Sequence, residues 1–342
     1  MAFKINNRRY TGSKYKISDW IRSLILDSCK DAKSFCDIFA GTGVVTNTMI
    51  NDYEEFYIND FLYSNEVIYK AFFSNDEFDE VLLHRYCRKY KDIKIENIEH
   101  NYVSENFGDK YFSMNDALQI GYIREDLEKE KANMNEREYC ILLASLIYSF
   151  DRCSNTVGHY EAYLKGKNIK SGFQFELIFP VIDKNDKRKV FISREDANVL
   201  ATKVKADVVY IDPPYSSRQY SRFYHVIETI VKWNKPELFG VAMKPTPENM
   251  SEYCNSKAID AFSELIANLD TKFIVVSYNN TYNSKSKSSE NKMTFEEILK
   301  VLNRKGKTQV YSKEHNAFNA GKTDFKEHKE FVFITKVGEY DE

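Results

Sequence analysis

Apolar residues recur with two different periods along this chain, and the changes of period divide it. From Ser18 the spacing of Trp20, Ile21, Leu24 and Ile25 predicts a helix, with Ser18 as its N-cap. The short run Phe35 to Phe39 reads as a strand stopped by the turn AGTG, after which a helical stretch reaches about Asn51. EFYIND then predicts a second strand ending at Asp60. Strand, glycine turn, helix and strand in that order open a doubly wound α/β sheet. Between Phe61 and Asp186 the helical period dominates, predicting helices over 66–74, 79–90, 115–134 and 136–151. The two-residue period returns at Val190. VFISRED, VVYID and FIVVSYN read as strands, and TQVYSKE with EFVFITK as a closing antiparallel hairpin. Helices are expected over 225–234, 260–268 and 295–303. The expected fold is therefore α/β, with a Rossmann-like sheet domain built from 1–61 and 187–342 and an inserted, mostly helical lobe over 62–186.

Composition narrows the classes. Charged residues are 29% and hydrophobic residues 43%, the balance of a folded globular chain. Lys and Arg number 49 against 51 Asp and Glu, a net charge of -2, so any nucleic-acid surface must be a local patch rather than bulk charge. Residues 1–34 are one such basic stretch, and HRYCRKYK at 84–91 is another, readable equally as a solvated helix face. The opening MAFKINNRRY lacks a signal-peptide apolar core, and the best apolar run, Ile141 to Tyr148, is too short to span a bilayer. A cytoplasmic protein with no membrane segment is expected. The six cysteines form no C-x-x-C pair and read as buried thiols, and no metal-ligand cluster is visible.

Two motifs carry chemistry. In Asp37-Ile-Phe39-Ala40-Gly41-Thr-Gly43, the glycines allow a tight turn and close approach of a ligand to the backbone. Asp60, at the end of the next strand, suits a ribose with two free hydroxyls. There is no third glycine, and Asp37 would repel a pyrophosphate. A nucleoside with a cationic group and no phosphate fits better. In Asp212-Pro213-Pro214-Tyr215, directly after VVYI, consecutive prolines make a stiff loop with fixed carbonyl directions. A carboxylate and a rigid carbonyl can accept both hydrogens of one amino group, and Tyr215 offers a ring face for a planar base. A third segment, Arg9-Tyr10-Thr-Gly12-Ser13-Lys14, could bind a carboxylate and cap a pocket.

With these residues in view, RRYTGSK, DIFAGTG, DPPY and the tract YIDPPYSSRQYSRFYHVIET resemble the S-adenosylmethionine-dependent adenine-N6 DNA methyltransferases. The motif order is similar to that of the alpha-order, Dam-like group, and NTVGHYEAYLKG, REDANVL, FIVVSYNN and EHKEFVFI extend the likeness over nearly the whole chain. The resemblance implies that Asp37, Phe39, Ala40, Gly41 and Gly43 line the methionine moiety of S-adenosylmethionine. It implies that Asp60 and Phe61 serve its ribose side, that Asp196 and Ala197 flank its adenine, and that Tyr10 and Lys14 close the pocket. Asp212, Pro213, Pro214 and Tyr215 would hold an adenine flipped from duplex DNA, and Arg9, Arg218, Gln219 and Tyr220 would extend the site towards DNA. Ser216 departs from the Asn common at that place, yet keeps a hydrogen-bonding group. The lobe at 62–186 would recognise the target, the product would be S-adenosylhomocysteine, and a restriction endonuclease would be the partner. His225 and Glu228, at i and i+3, read as support behind the active loop. The alternatives are methylation of an RNA adenine, a protein amide or a cytosine amine, or a catalytically silent DNA-binding relative.

Overall fold

The computed structural model describes Ile5 and residues 10–166, 169–180, 187–280, 290–314 and 329–340. The chain forms two compact units. One is built on a sheet and holds Gly12–Phe61, Lys187–Gln219 and the described residues after Asn249. The other is helical and joins the described residues of Leu62–Asp186 to Tyr220–Glu248 and to those before Gly12.

The sheet unit contains β1 (Ser34–Asp37), β2 (Glu55–Asn59), β3 (Lys189–Ser193), β4 (Val208–Ile211), β5 (Phe273–Asn279), β6 (Gly306–Glu314) and β7 (Lys329–Val337). Their order is β3-β2-β1-β4-β5-β7-β6. The first five are parallel, β7 runs antiparallel to β5, and β6 pairs with β7 as the expected hairpin. The apolar runs of β4 and β5 follow from this position: a parallel strand in mid-sheet is covered on both faces, so neither face is polar. One face packs against α8 (Ala197–Ala201), α11 (Ala258–Asn268) and α12 (Phe295–Leu302), with Phe262, Leu265, Ile274 and Leu302 fully buried. Each such side chain contributes about 1.5–3 kcal/mol. On the other face Phe35 packs with Tyr53, Phe56 and Tyr210. There α1 (Ser18–Ser28) lies against α2 (Val44–Met49) and β7. Ser18 does not cap α1: the N-cap is Ile17, and the Ser18 hydroxyl donates to the Tyr15 carbonyl at 3.1 Å. A turn closed by Ile17 N–H on Lys14 carbonyl already leads into the helix, which puts Ser18 inside it.

The helical unit holds α3 (Tyr63–Phe73), α4 (Glu80–Lys91), α5 (Tyr102–Phe107), α6 (Met114–Glu130), α7 (Glu136–Cys153), α9 (Tyr220–Phe223) and α10 (His225–Lys232). An Asn135/Glu138 capping box starts α7, and every residue from Arg137 to Asp151 is buried, so α7 is the central element. On α4, Leu83, Tyr86, Cys87 and Tyr90 turn inward, which leaves its basic residues on the opposite face. Segment 220–248 belongs here because α10 is tied into the helices twice. Glu228 accepts the first backbone N–H groups of α3, from Tyr63 and Ser64, both at 2.9 Å. Arg124 of α6, 1% exposed, donates to the Ile230 and Val231 carbonyls near the end of α10 and pairs with Glu128. Glu228 thus caps α3 within the helical unit. Both His225 ring nitrogens face carbonyls, of Arg222 and Ala242, and burial pushes its pKa down to about 4. Five of the six cysteines are buried and Cys153 is partly exposed. Among the described residues, no helix is long and apolar enough to cross a membrane.

Candidate active site

The chain winds outward from β1 through β2 to β3 on one side and from β4 to β5 on the other. The order therefore reverses between β1 and β4, and the carboxyl ends of strands at such a reversal are where α/β sheets bind ligands. Both motifs of the sequence lie there. Asp37 ends β1, Asp212 follows β4, and the Ile38 N–H donates to the Tyr210 carbonyl between the two strands.

The glycine turn is fixed from below. Gly41 and Gly43 have φ of 54° and 73°, left-handed values that L side chains avoid at about 1–2 kcal/mol. The Gly41 N–H donates to Asp60 Oδ2 at 2.9 Å, so the acid after β2 holds the turn that follows β1. Beneath it Asn59, 1% exposed, ties three strand ends together. Its Nδ2 donates to the Ile38 and Glu195 carbonyls, and its Oδ1 accepts from Ser193 Oγ and the Glu195 N–H. Asn59 was not among the expected site residues, because its partners at Ser193 and Glu195 lie more than 130 residues along the chain.

Asp37 is 1% exposed. Thr46 Oγ1 donates to its Oδ2 at 2.8 Å, while its Oδ1 is buried with no hydrogen-bond partner among the described residues. Burial pushes this carboxyl up to about 7 against the pull of Thr46, and the charges of Asp212 and Asp60 add to the rise. A cationic group against Oδ1 would satisfy it, whereas a phosphate would meet three carboxylates. The site fits an S-adenosylmethionine-like ligand on that ground. Asp196 caps α8 by accepting from the Asn198 N–H at 2.8 Å, and Ala197 is buried. Phe39 packs edge-on to Tyr253 (5.1 Å), whose hydroxyl donates to Asn198 Oδ1, so Phe39 and the Asp196–Ala197 turn share one support. The Phe61 carbonyl accepts from Asn249 Nδ2.

The second motif is the centre of a network in which Lys14 and Glu330 are buried and Asp212 and Tyr215 are partly exposed. Asp212 Oδ2 pairs with Lys14 Nζ at 2.8 Å, and its Oδ1 accepts from Tyr215 Oη at 2.6 Å. Tyr215 Oη also lies 2.9 Å from Glu330 Oε1 and 3.3 Å from the Ser277 carbonyl. Lys14 sits 4.8 Å above the Tyr215 ring, and Tyr278 packs against that ring at 4.5 Å. Burial would lower the Lys14 pKa, but Asp212 and Glu330 more than offset this and raise it. Burial pushes Asp212 up, with Glu330 adding and Lys14 opposing. No hydrogen bond to the Pro213 carbonyl is found among the described residues.

The remaining expected residues divide. Gln219 lends both ends of its amide to the Ser251 backbone, at 2.9 and 2.8 Å, which makes it a brace for that segment. Arg218 accepts from Cys254 Sγ through its carbonyl. In the helical unit Tyr10 stacks on Tyr224 (4.7 Å) and Tyr220 (5.4 Å), and the Thr11 N–H donates to Tyr224 Oη. Arg9 lies outside the described residues. Among the described residues, no group of three or more His, Cys, Asp or Glu is placed to hold a metal ion.

Comparison with known proteins places the chain among methyltransferases by similarity. Type II methyltransferase M.FokI of Planomicrobium okeanokoites is 35% identical over 322 residues, 89% of this chain and 48% of its own length. Modification methylase StsI of Streptococcus sanguinis is 33% identical over 80% of this chain and 44% of its own. The chain thus spans about half the length of these two relatives. Type II methyltransferase M.CviAII of Paramecium bursaria Chlorella virus 1 is 30% identical over 96% of this chain and 99% of its own. The family model of the D12 class N6 adenine-specific DNA methyltransferases matches residues 10–295, and the chain belongs to that family.

Proposed function

We propose that this chain transfers a methyl group to the N6 amine of an adenine extruded from duplex DNA, at a specific sequence, as the modification partner of a restriction endonuclease acting in the same cytoplasm. The observation that carries this reading is the juxtaposition, at the carboxyl ends of the neighbouring strands β1 and β4, of an open buried Asp37 oxygen and the Asp212–Pro213 corner. Bound S-adenosylmethionine supplies an electrophilic methyl group on a sulfonium and leaves as S-adenosylhomocysteine.

In this mechanism Asp37 Oδ1 takes a cationic group of the cofactor, the glycine turn lets it approach the backbone, and Asp60 and Asp196 serve its ribose and adenine sides. Phe39, Ala40, Phe61 and Ala197 line the pocket, and Lys14 closes it. Asp212 and the Pro213 carbonyl accept the two N–H bonds of the adenine amine. That arrangement favours a more tetrahedral nitrogen, whose lone pair is otherwise delocalised into the ring. The charge-assisted bond to Asp212 contributes about 1.5–3 kcal/mol. Positive charge develops on that nitrogen during transfer, and fixed acceptors stabilise it without reorganising. Tyr215 stacks on the extruded base, which offsets a few kcal/mol of flipping by about 1–3 kcal/mol. Arg218 and Tyr220 extend the site towards DNA, and the lobe at 62–186 reads the target.

The direct test is tritium transfer from labelled S-adenosylmethionine to duplex DNA. Wild-type protein is expected to label DNA, and Asp212→Ala to lose about 10²–10³-fold in kcat, by analogy with removal of one oxyanion donor. Label entering RNA while every DNA tested stays unmodified would overturn the substrate assignment.

A further inference from the structure

One buried carboxylate of the network has no part in the proposed mechanism. Glu330 is the second residue of β7, is 3% exposed, and pairs across the sheet with Asn279 of β5. Its Oε1 gathers Tyr215 Oη at 2.9 Å, Ser277 Oγ at 2.9 Å and Lys14 Nζ at 3.5 Å. Tyr215 and Lys14 are also the two partners of Asp212. Two carboxylates therefore share one phenol proton and one ammonium.

This sharing bears on how Asp212 becomes available. Each of its oxygens is engaged, one by Lys14 and one by Tyr215. A substrate amine that donates to Asp212 therefore competes with Lys14 and Tyr215 for its lone pairs, and gains most when one of them turns away. A donor that leaves a carboxylate inside a buried site, with no second acceptor, forfeits a charge-assisted bond. Glu330 is already within reach of both donors, and it offers them a charged acceptor where the carbonyls of Gly12 (3.3 Å from Lys14 Nζ) and Ser277 (3.3 Å from Tyr215 Oη) offer only neutral ones. A buried carboxylate is costly on its own, and an apolar residue at this strand position would pack without that cost, so packing alone does not explain a Glu here.

We propose that Glu330 is a positioning residue for methyl transfer: it takes over the Tyr215 hydroxyl and the Lys14 ammonium as Asp212 turns to the substrate amine. This rests on the adenine methyltransferase reading of the site. The rise that Glu330 imposes on the Asp212 carboxyl agrees with two acids competing for one ammonium.

The test is a double-mutant cycle on the full chain, Glu330→Gln against Lys14→Gln, with transfer to duplex DNA followed alongside binding of S-adenosylmethionine and DNA. In Glu330→Gln the ammonium has only Asp212 as a charged partner and competes with the amine. A kcat loss of tenfold or more is expected, with both affinities within about twofold. In the Lys14→Gln background the same change should cost under about threefold, because the ammonium needing a second acceptor is gone. An equal loss in both backgrounds, or a loss that appears as weakened binding, would overturn the proposal. A second readout needs no catalysis: the 13C-carboxyl titration of Asp212 in the free protein, assigned with Asp212→Asn. It should move to lower pH in Glu330→Gln, with Asp37 from β1 and Tyr210 from β4, which also face Asp212, still in place; Tyr210, raised in part by Glu330, should fall with it. An unmoved titration contradicts the sharing. If wild-type protein methylates no DNA, the functional reading fails, and this titration still decides whether Glu330 shares the donors.

Discussion

Glu228 in the helical unit and Asp37 in the sheet unit are both buried carboxylates, at 6% and 1% exposure, but their surroundings treat them differently. Each Glu228 oxygen accepts a backbone N–H at the start of α3. Asp37 has one oxygen bonded to Thr46 and one left without a partner among the described residues. The contrast extends to their neighbours. Asp116 of α6 gathers Ser171 Oγ and the N–H groups of Gly172 and Phe173, and Arg124 reaches two helix-end carbonyls. In the sheet unit Asp212 and Glu330 divide the same two donors. In the helical unit these buried charges bind fixed backbone and hold the fold. At the strand ends they are held open or shared, which costs stability; under the proposed mechanism these are the groups that would meet a cationic ligand and a donor amine.

Substitutions on the two sides should accordingly differ in sign. The largest expected effect is in the helical unit. Arg124→Met strands two carbonyls near the end of α10 and should lower unfolding stability by about 3 kcal/mol, read by urea denaturation, with cofactor affinity unchanged. Glu228→Ala uncaps α3 and should lower it by about 2 kcal/mol. If either variant were neutral in stability but defective in cofactor binding, this division of roles would break.

At the strand ends, Asp37→Asn should act the other way. It should raise the stability of the free protein at pH 8 by about 1–2 kcal/mol while removing S-adenosylmethionine binding in calorimetry. The sign follows from the Asp37 pKa, raised from 3.8 to about 7 on folding. Between those values the folded protein holds a proton that the unfolded chain releases. This group's contribution therefore falls as pH rises from about 4 to about 7 and is constant above that. In Asp37→Asn that component of the stability-versus-pH curve should vanish. The smallest effect is a linked one: binding a cation beside Asp37 lowers its pKa, so cofactor binding near pH 7 should release part of a proton, detectable by calorimetry in buffers of different ionisation enthalpy.

How much of this was legible in the chain depends on distance along it. The glycine turn and the Asp212-Pro213-Pro214-Tyr215 corner are local signals, and the strands that carry them follow from apolar runs ended by turn residues. The alternation of period also separates the helices of 62–186 from the sheet. Glu330 could not be found that way, since only the antiparallel register of β5 and β7 sets it opposite Asn279 and beside Ser277. The nearest signal was EHKEFVFI, where a Glu enters an apolar strand. Asn59 and Tyr253 act through partners more than fifty residues away, at Glu195 and Asn198. The short helices α5 and α8 are too brief for periodicity to register. The α10 segment has the composition of either unit, and its place is set by Arg124 and Glu228, a long-range choice.

The proposed chemistry depends on Asp212 as the acceptor that makes an adenine amine reactive. Methylation-sensitive sequencing of DNA from cells expressing the chain tests this most directly. Wild-type protein is predicted to leave N6-methyladenine in one sequence context and Asp212→Ala to leave none. DNA free of N6-methyladenine, with Asp212-dependent methyl groups on cytosine or on RNA instead, would contradict it.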